Sequence, residues 1–212
     1  MKDLIAELDR ASRHVEREGD HGGPGGPDDI YVVEIRRTYD ADPADVWDAC
    51  TTPERVARWF GAVSGDLRLG GRFAIEGNAS GEILECQAPR RLAVTWEFGG
   101  DTSWVTLDLA AAGDATELTV RHRQRRTDHW AKFGPGATGV GWDLITLGLG
   151  QHLAGLEDPR PAFAADPGAH AFIQGAATAW GAAHEKAGAP AAVATRAAQA
   201  TAAAFTGADH PG

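Results

Sequence analysis

Eight histidines, at positions 14, 21, 122, 129, 152, 170, 184 and 210, are the first side chains to weigh for chemistry. A zinc site on a helix would show a His-x-x-x-His or His-Glu-x-x-His spacing. No such pair occurs, so no metal ligand is assigned. His122 ends a strand-like run on its inward side and His152 falls in a helical run, an order that lets them meet inside the fold. Their default role is that of hydrogen-bonded structural or rim residues. Glu76, Glu82 and Glu97 lie on neighbouring strand-like segments, where two carboxylates could converge as acid and base. Glu97, however, alternates with Trp96 and Phe98 and so belongs to the solvated side. Neither a Gly-x-Ser-x-Gly elbow nor a phosphate loop is present. Gly-Val-Gly-Trp-Asp-Leu at 139–144 lacks the third spaced glycine and the preceding strand of a dinucleotide site. The sequence thus assigns no catalytic residue and no cofactor. Whether the chain is an enzyme stays open. If it is one, it would position a reactive substrate beside a single acid or base from His122, Glu82 or Arg121.

The aromatics are a better-organised set. Trp47, Trp59, Phe60, Phe73, Trp96, Phe98, Trp104 and Trp142 fall on elements that would surround an internal cavity. Most must be core, because aromatics dominate core burial. A small-molecule site needs only three or four left partly uncovered, with a polar group to orient the guest. The candidate lining is Trp59, Phe60, Phe73, Ile75, Trp96, Trp142 and Ile145, with His122 as the polar member. Trp104 has the opposite parity to Val105 and Leu107 and is assigned to the outer face. The glycines at 134, 136 and 139 mark the 124–139 segment as a loop, suited to a lid at the mouth of such a site.

The elements that must position these side chains can be read from period and punctuation. Asp-Pro-Ala-Asp-Val-Trp at 42–47 and Thr-Pro-Glu-Arg-Val-Ala-Arg-Trp-Phe at 52–60 each set a capping residue before a proline suited to the first helical position. Two short helices therefore follow a first strand at 30–39. Strands are expected near 63–68, 72–77, 79–87, 90–98, 102–110 and 115–123, separated by glycine turns. Such regular hairpins imply an antiparallel meander. A long helix follows at 140–156, in which Gly141, Gly148 and Gly150 imply close packing or reserved space.

Residues 3–17 carry Leu4, Leu8, Ala11 and Val15 at helical spacing and read as an amphipathic helix. The run Gly19–Asp29 reads as a Gly/Pro connector. Beyond Pro159 an alanine-rich helical hairpin is expected, anchored by Trp180, Phe172 and Ile173. The domain boundaries that follow are 1–18, 19–29, 30–158 and 159–212.

The 212 residues carry a formal net charge of −10, which disfavours bulk attraction to nucleic acid or anionic membrane. Arg121, Arg123, Arg125, Arg126 and Lys132 form a local basic run, read as solvated. No window approaches a membrane span, and Met-Lys-Asp-Leu-Ile-Ala-Glu is too charged for a signal peptide. A cytoplasmic location is expected. Cys50 and Cys86 are expected as buried, reduced thiols.

Val-Trp-Asp-Ala-Cys-Thr-Thr-Pro-Glu-Arg-Val-Ala-Arg-Trp-Phe at 46–60 resembles the opening signature of the SRPBCC, or START-like, superfamily. The branch is the one named for the activator of the ninety-kilodalton heat-shock protein ATPase. Gly70-Gly71-Arg72-Phe73, Gly81-Glu82-Ile83-Leu84-Glu85, Pro89-Arg90-Arg91-Leu92 with Thr95-Trp96-Glu97, and Gly141-Trp142-Asp143-Leu144 extend the match over roughly residues 30–156. The resemblance implies an α+β helix-grip fold: an antiparallel sheet wrapped around a long C-terminal helix. Here an N-terminal helix and a C-terminal helical hairpin would be added. Relatives include lipid carriers, hormone receptors and polyketide cyclases, and fold alone does not choose among them. The leading reading is binding of a small, largely apolar molecule by a carrier, sensor or sequestering module. A cyclase- or hydrolase-like enzyme is the second, and a co-chaperone-like interaction module the third. A chaperone and a second copy of the chain are the macromolecular partners this leaves open.

Overall fold

The computed structural model describes residues 4–18, 29–156 and 158–207, and all of the expected connector except Asp29 lies outside them. In chain order the elements are α1 (Leu4–Leu8), β1 (Ala11–Glu18), β2 (Ile30–Tyr39), α2 (Pro43–Thr51), α3 (Pro53–Trp59) and β3 (Val63–Gly65). Then come β4 (Arg72–Ile75), β5 (Ser80–Gln87), β6 (Arg91–Phe98), β7 (Asp101–Ala112) and β8 (Ala115–Arg125). The helices α4 (Asp128–Phe133), α5 (Gly136–Leu153), α6 (Pro159–Ala164), α7 (Ala169–Lys186) and α8 (Ala191–Thr206) complete the chain. The strands form one sheet in the order β1-β2-β8-β7-β6-β5-β4-β3, the α+β arrangement expected of a helix-grip fold.

Local chemistry explains much of this order. β6 and β7 are antiparallel, with Phe98 opposite Asp101, which leaves Gly99 and Gly100 as a two-residue turn. Both have positive φ, 62° and 90°, which a primed hairpin turn demands and a side chain resists. Asp42 caps α2 through Oδ1, which accepts from the backbone N–H groups of Ala44 and Asp45 at 2.9 Å each. Thr52 departs from its expected capping role. Its hydroxyl donates instead to Asp48 Oδ1, which ties α3 back to α2.

Sheet and helices divide into two units: residues 1–35, 123–144 and 165–212, and residues 36–122 and 145–164. In the first unit α7 packs on α1 and β1, and α8 lies along α7 and α4. Trp180 is fully buried, Phe172 and Ile173 nearly so, and the alanine-rich helices therefore dock on their own chain. Asp143, 2 % exposed, is the polar centre of this unit. Its Oδ2 accepts from Trp180 Nε1 at 2.7 Å and from Arg13 Nε at 3.1 Å, while Oδ1 accepts from Arg13 Nη2 at 2.6 Å.

Three expectations are corrected here. The N-terminal helix is only α1, and residues 11–18 are strand. A spacing of four between Ala11 and Val15 fits both periods, and the inward positions between and after them are Arg13 and Arg17. These arginines turn inward because Asp143 and Asp29 receive them. The glycine-rich 124–139 segment is not an open loop. Thr127 caps α4 by accepting from Trp130 N–H, and α5 already begins at Gly136. Gly136 and Gly139 are helical because a Cβ on either would strike Thr201 or the Trp180 indole, at 2.3 and 2.2 Å. Finally, both thiols are free as expected, but Cys86 is exposed. A bulge between Ile83 and Glu85 shifts the register there, so that Cys86 lies opposite Leu92 near the end of the β5–β6 pair.

Asp143→Ala should destabilise the protein by about 3–5 kcal/mol, because it strands a buried guanidinium and an indole N–H. Asp143→Asn, which keeps an acceptor, should cost less. Denaturant unfolding of the two variants beside the parent checks both.

Candidate functional site

The second unit gathers most of the expected lining. α3 ends in Trp59 and Phe60, whose rings stack with centroids 5.7 Å apart. Trp59 is buried and donates from Nε1 to the Ala49 carbonyl at 3.1 Å, which locks its indole against α2. Phe60 is only half-buried, and its ring lies parallel to that of half-buried Trp96, 6.4 Å away with 4° between planes. Phe73 of β4 also approaches Trp96, at 6.3 Å with 47° between the ring planes. Gly81, its register partner on β5, makes room for that ring: a Cβ there would come within 2.9 Å of Phe73 Cε1. Ile75 is buried beside Gly61, directly after Phe60.

His122 completes the cluster, its ring edge-on to Trp96 at 6.1 Å. Its Nε2 lies 2.8 Å from Ser103 Oγ, which also lies 3.1 Å from the Trp96 carbonyl. A serine has one proton to give, and the imidazole tautomer decides which of these neighbours receives it. Burial pushes the His122 pKa down to about 4, so the ring is neutral at physiological pH. A serine and an imidazole at this distance have the spacing of a nucleophile and its base. The weak basicity of the ring opposes that use. Ser103 escaped attention in the sequence although its parity with Val105 and Leu107 marks it as inward-facing.

The remaining expected residues are placed as follows. Ile145 is half-buried on α5 within this unit, whereas Trp142, buried one turn earlier on the same helix, belongs to the first unit. His152 does not join His122: its Nε2 accepts from Arg55 Nε at 3.4 Å, and Arg55 also bridges Asp45 and Asp48. Burial first, and then the neighbouring Arg55 charge, lower the His152 pKa. Glu82 pairs in register with exposed Arg72, opposite in parity to Phe73, and so lies on the far face of the sheet from the aromatics. Arg121, adjacent to inward His122, faces that way too. Glu97 bonds to Arg72 at 2.5 Å on the solvated face, as its parity requires. Among the described residues no group of His, Cys, Asp and Glu side chains gathers as a metal site, and no helix is long and apolar enough to cross a membrane.

An eight-stranded sheet with two short helices after β2 and a long helix after β8 defines an SRPBCC-type protein. The chain belongs, within that class, to the family described as activator of Hsp90 ATPase homolog 1-like protein, whose family model matches residues 40–154. It is similar to CalU16 from Micromonospora echinospora at 35 % identity. The crystal structure of that protein covers 82 % of this chain and 98 % of its own, with a TM-score of 0.65. Its solution NMR structure covers 84 % and 96 %, with a TM-score of 0.68. DynU16, described as a putative protein in the dynemicin biosynthetic locus, is 25 % identical. It covers 58 % of this chain and 47 % of its own at a TM-score of 0.52. No curated protein matches the chain.

The buried histidine gives a pH signature. Unfolded, His122 has its ordinary pKa of 6.5, and folded it has one of about 4. Between those values the unfolded chain binds more protons, so stability falls as pH falls, by about 3 kcal/mol across the window. His122→Gln should remove that share of the slope. Unfolding free energies of both proteins at pH 7, 5.5 and 4 provide the comparison.

Proposed function

We propose that this protein binds a small, largely apolar molecule against the Phe60–Trp96–Phe73 cluster, as a carrier, sensor or sequestering module. The observation that carries the reading is the pair of parallel, half-buried rings of Phe60 and Trp96 beside a neutral Ser103–His122 hydrogen bond. Aromatic rings left partly uncovered offer apolar contact area, and a few placed polar groups orient the guest. Because His122 is neutral, the chemistry favours a ligand whose polar end is an uncharged hydroxyl or carbonyl over an acid. The association of DynU16 with a biosynthetic locus supports a product or intermediate of such a locus as the ligand class. Trp59, stacked on Phe60, and Ile75, beside Gly61, would support it, and Ile145 is the α5 residue proposed to join them.

The cyclase- or hydrolase-like alternative loses Glu82 and Arg121 to the opposite face of the sheet. It would have to work through a weakly basic His122. The co-chaperone reading has the family description behind it and no feature of this cluster.

Native mass spectrometry of freshly purified protein, with tryptophan-fluorescence titration by neutral apolar probes, tests the binding reading. Trp96→Ala should weaken probe binding at least tenfold while the fold, followed by circular dichroism, is retained. Protein that carries no guest and whose fluorescence ignores every probe refutes the proposal.

A further inference from the structure

Helix α6 reaches the end of α3 through the Arg160 side chain. A helix leaves its last carbonyls without internal partners, and in α3 both Phe60 N–H and Gly61 N–H return to the Val56 carbonyl. Arg160 reaches the next ones: Nη2 donates to the Ala57 carbonyl and Nη1 to the Phe60 carbonyl, each at 3.3 Å. Asp158 holds that guanidinium from behind, with Oδ1 accepting from Nε and Oδ2 from Nη2, both at 2.9 Å. Pro159 between them is buried near Gly148 of α5, where a Cβ would lie 3.8 Å from its ring. The clasp is thus anchored on one helix and grips the end of another.

Phe60 differs from its neighbour in what holds it. Trp59 is pinned by its own indole hydrogen bond, and its carbonyl lies 3.4 Å from where a Gly148 Cβ would sit. The Phe60 ring is half-buried, and the Arg160 hydrogen bond fastens the backbone that carries it.

We propose that Arg160, braced by Asp158, is the positioning residue that sets the Phe60 ring over Trp96 and thereby limits how fast a bound molecule leaves the cluster. This inference rests on the binding reading above. Closure by a side chain that gates exit acts mainly on the dissociation rate.

The test uses the full chain, with Arg160→Ala and Arg160→Lys as variants. Stopped-flow release of the neutral fluorophore N-phenyl-1-naphthylamine gives the rate, and hydrogen exchange at the Phe60 and Gly61 amides reports on the clasp. Arg160→Ala should raise the release rate about tenfold and speed exchange at those two amides, with no comparable change elsewhere. Arg160→Lys keeps the charge but cannot span two carbonyls and one carboxylate, and should fall between. Unchanged release from a variant that still binds the probe overturns this inference alone. Unchanged exchange at Phe60 and Gly61 does the same. A parent protein that binds no probe overturns the binding reading and this inference together.

Discussion

A carboxylate taken out of water must be matched by donors, and Asp143 is matched from two directions at once. Arg13 approaches it from β1 with a two-pronged guanidinium and Trp180 from α7 with its indole N–H. Removing either partner would leave a buried polar group uncompensated, which costs more than the net value of the interaction it made. The requirement propagates. Trp180 can come close enough only because Gly139 has no side chain, and β1 can turn an arginine inward only because the carboxylate waits there. One charge thus bears on the identity of a glycine, the inward arginine of a strand and the docking of a helix.

The same interaction shows why some of the fold was legible in the sequence and some was not. Alternation at 90–98 and 102–110 and the glycine pairs between strands are local signals, so the meander from β4 to β8 followed from them directly. The proline-led helices α2 and α3 announce themselves for the same reason. Residues 11–18 carried no local signal able to separate strand from helix, since a spacing of four serves both periods. The deciding partner of Arg13 lies 130 residues away. Gly136 and Gly139 misled for a related reason. Alone they read as loop, and only Thr201 and Trp180 explain why helix tolerates them.

The candidate site divides along the same line. Parity placed Trp96, Phe73 and His122 on one face of the sheet, and the helical run placed Trp59 and Phe60 together at the end of α3. What parity could not supply was the contact of Ser103 with both His122 and the Trp96 carbonyl across the β6–β7 pair. Burial keeps that imidazole uncharged, so the pair carries no formal charge.

The first unit is assembled from residues 1–35, 123–144 and 165–212. Strand β1 is synthesised long before α7, the helix that covers it. On the ribosome Arg13 must therefore remain without its indole-bearing partner helix until residues 169–186 have cleared the exit tunnel. Residues 36–122 and 145–164, by contrast, have all been synthesised before α7 begins. Vectorial synthesis therefore orders the two halves in time. The aromatic unit is free to form before α7 is made, and the unit built around Asp143 closes only after it, as a long-range step with the high contact order that makes such steps slow.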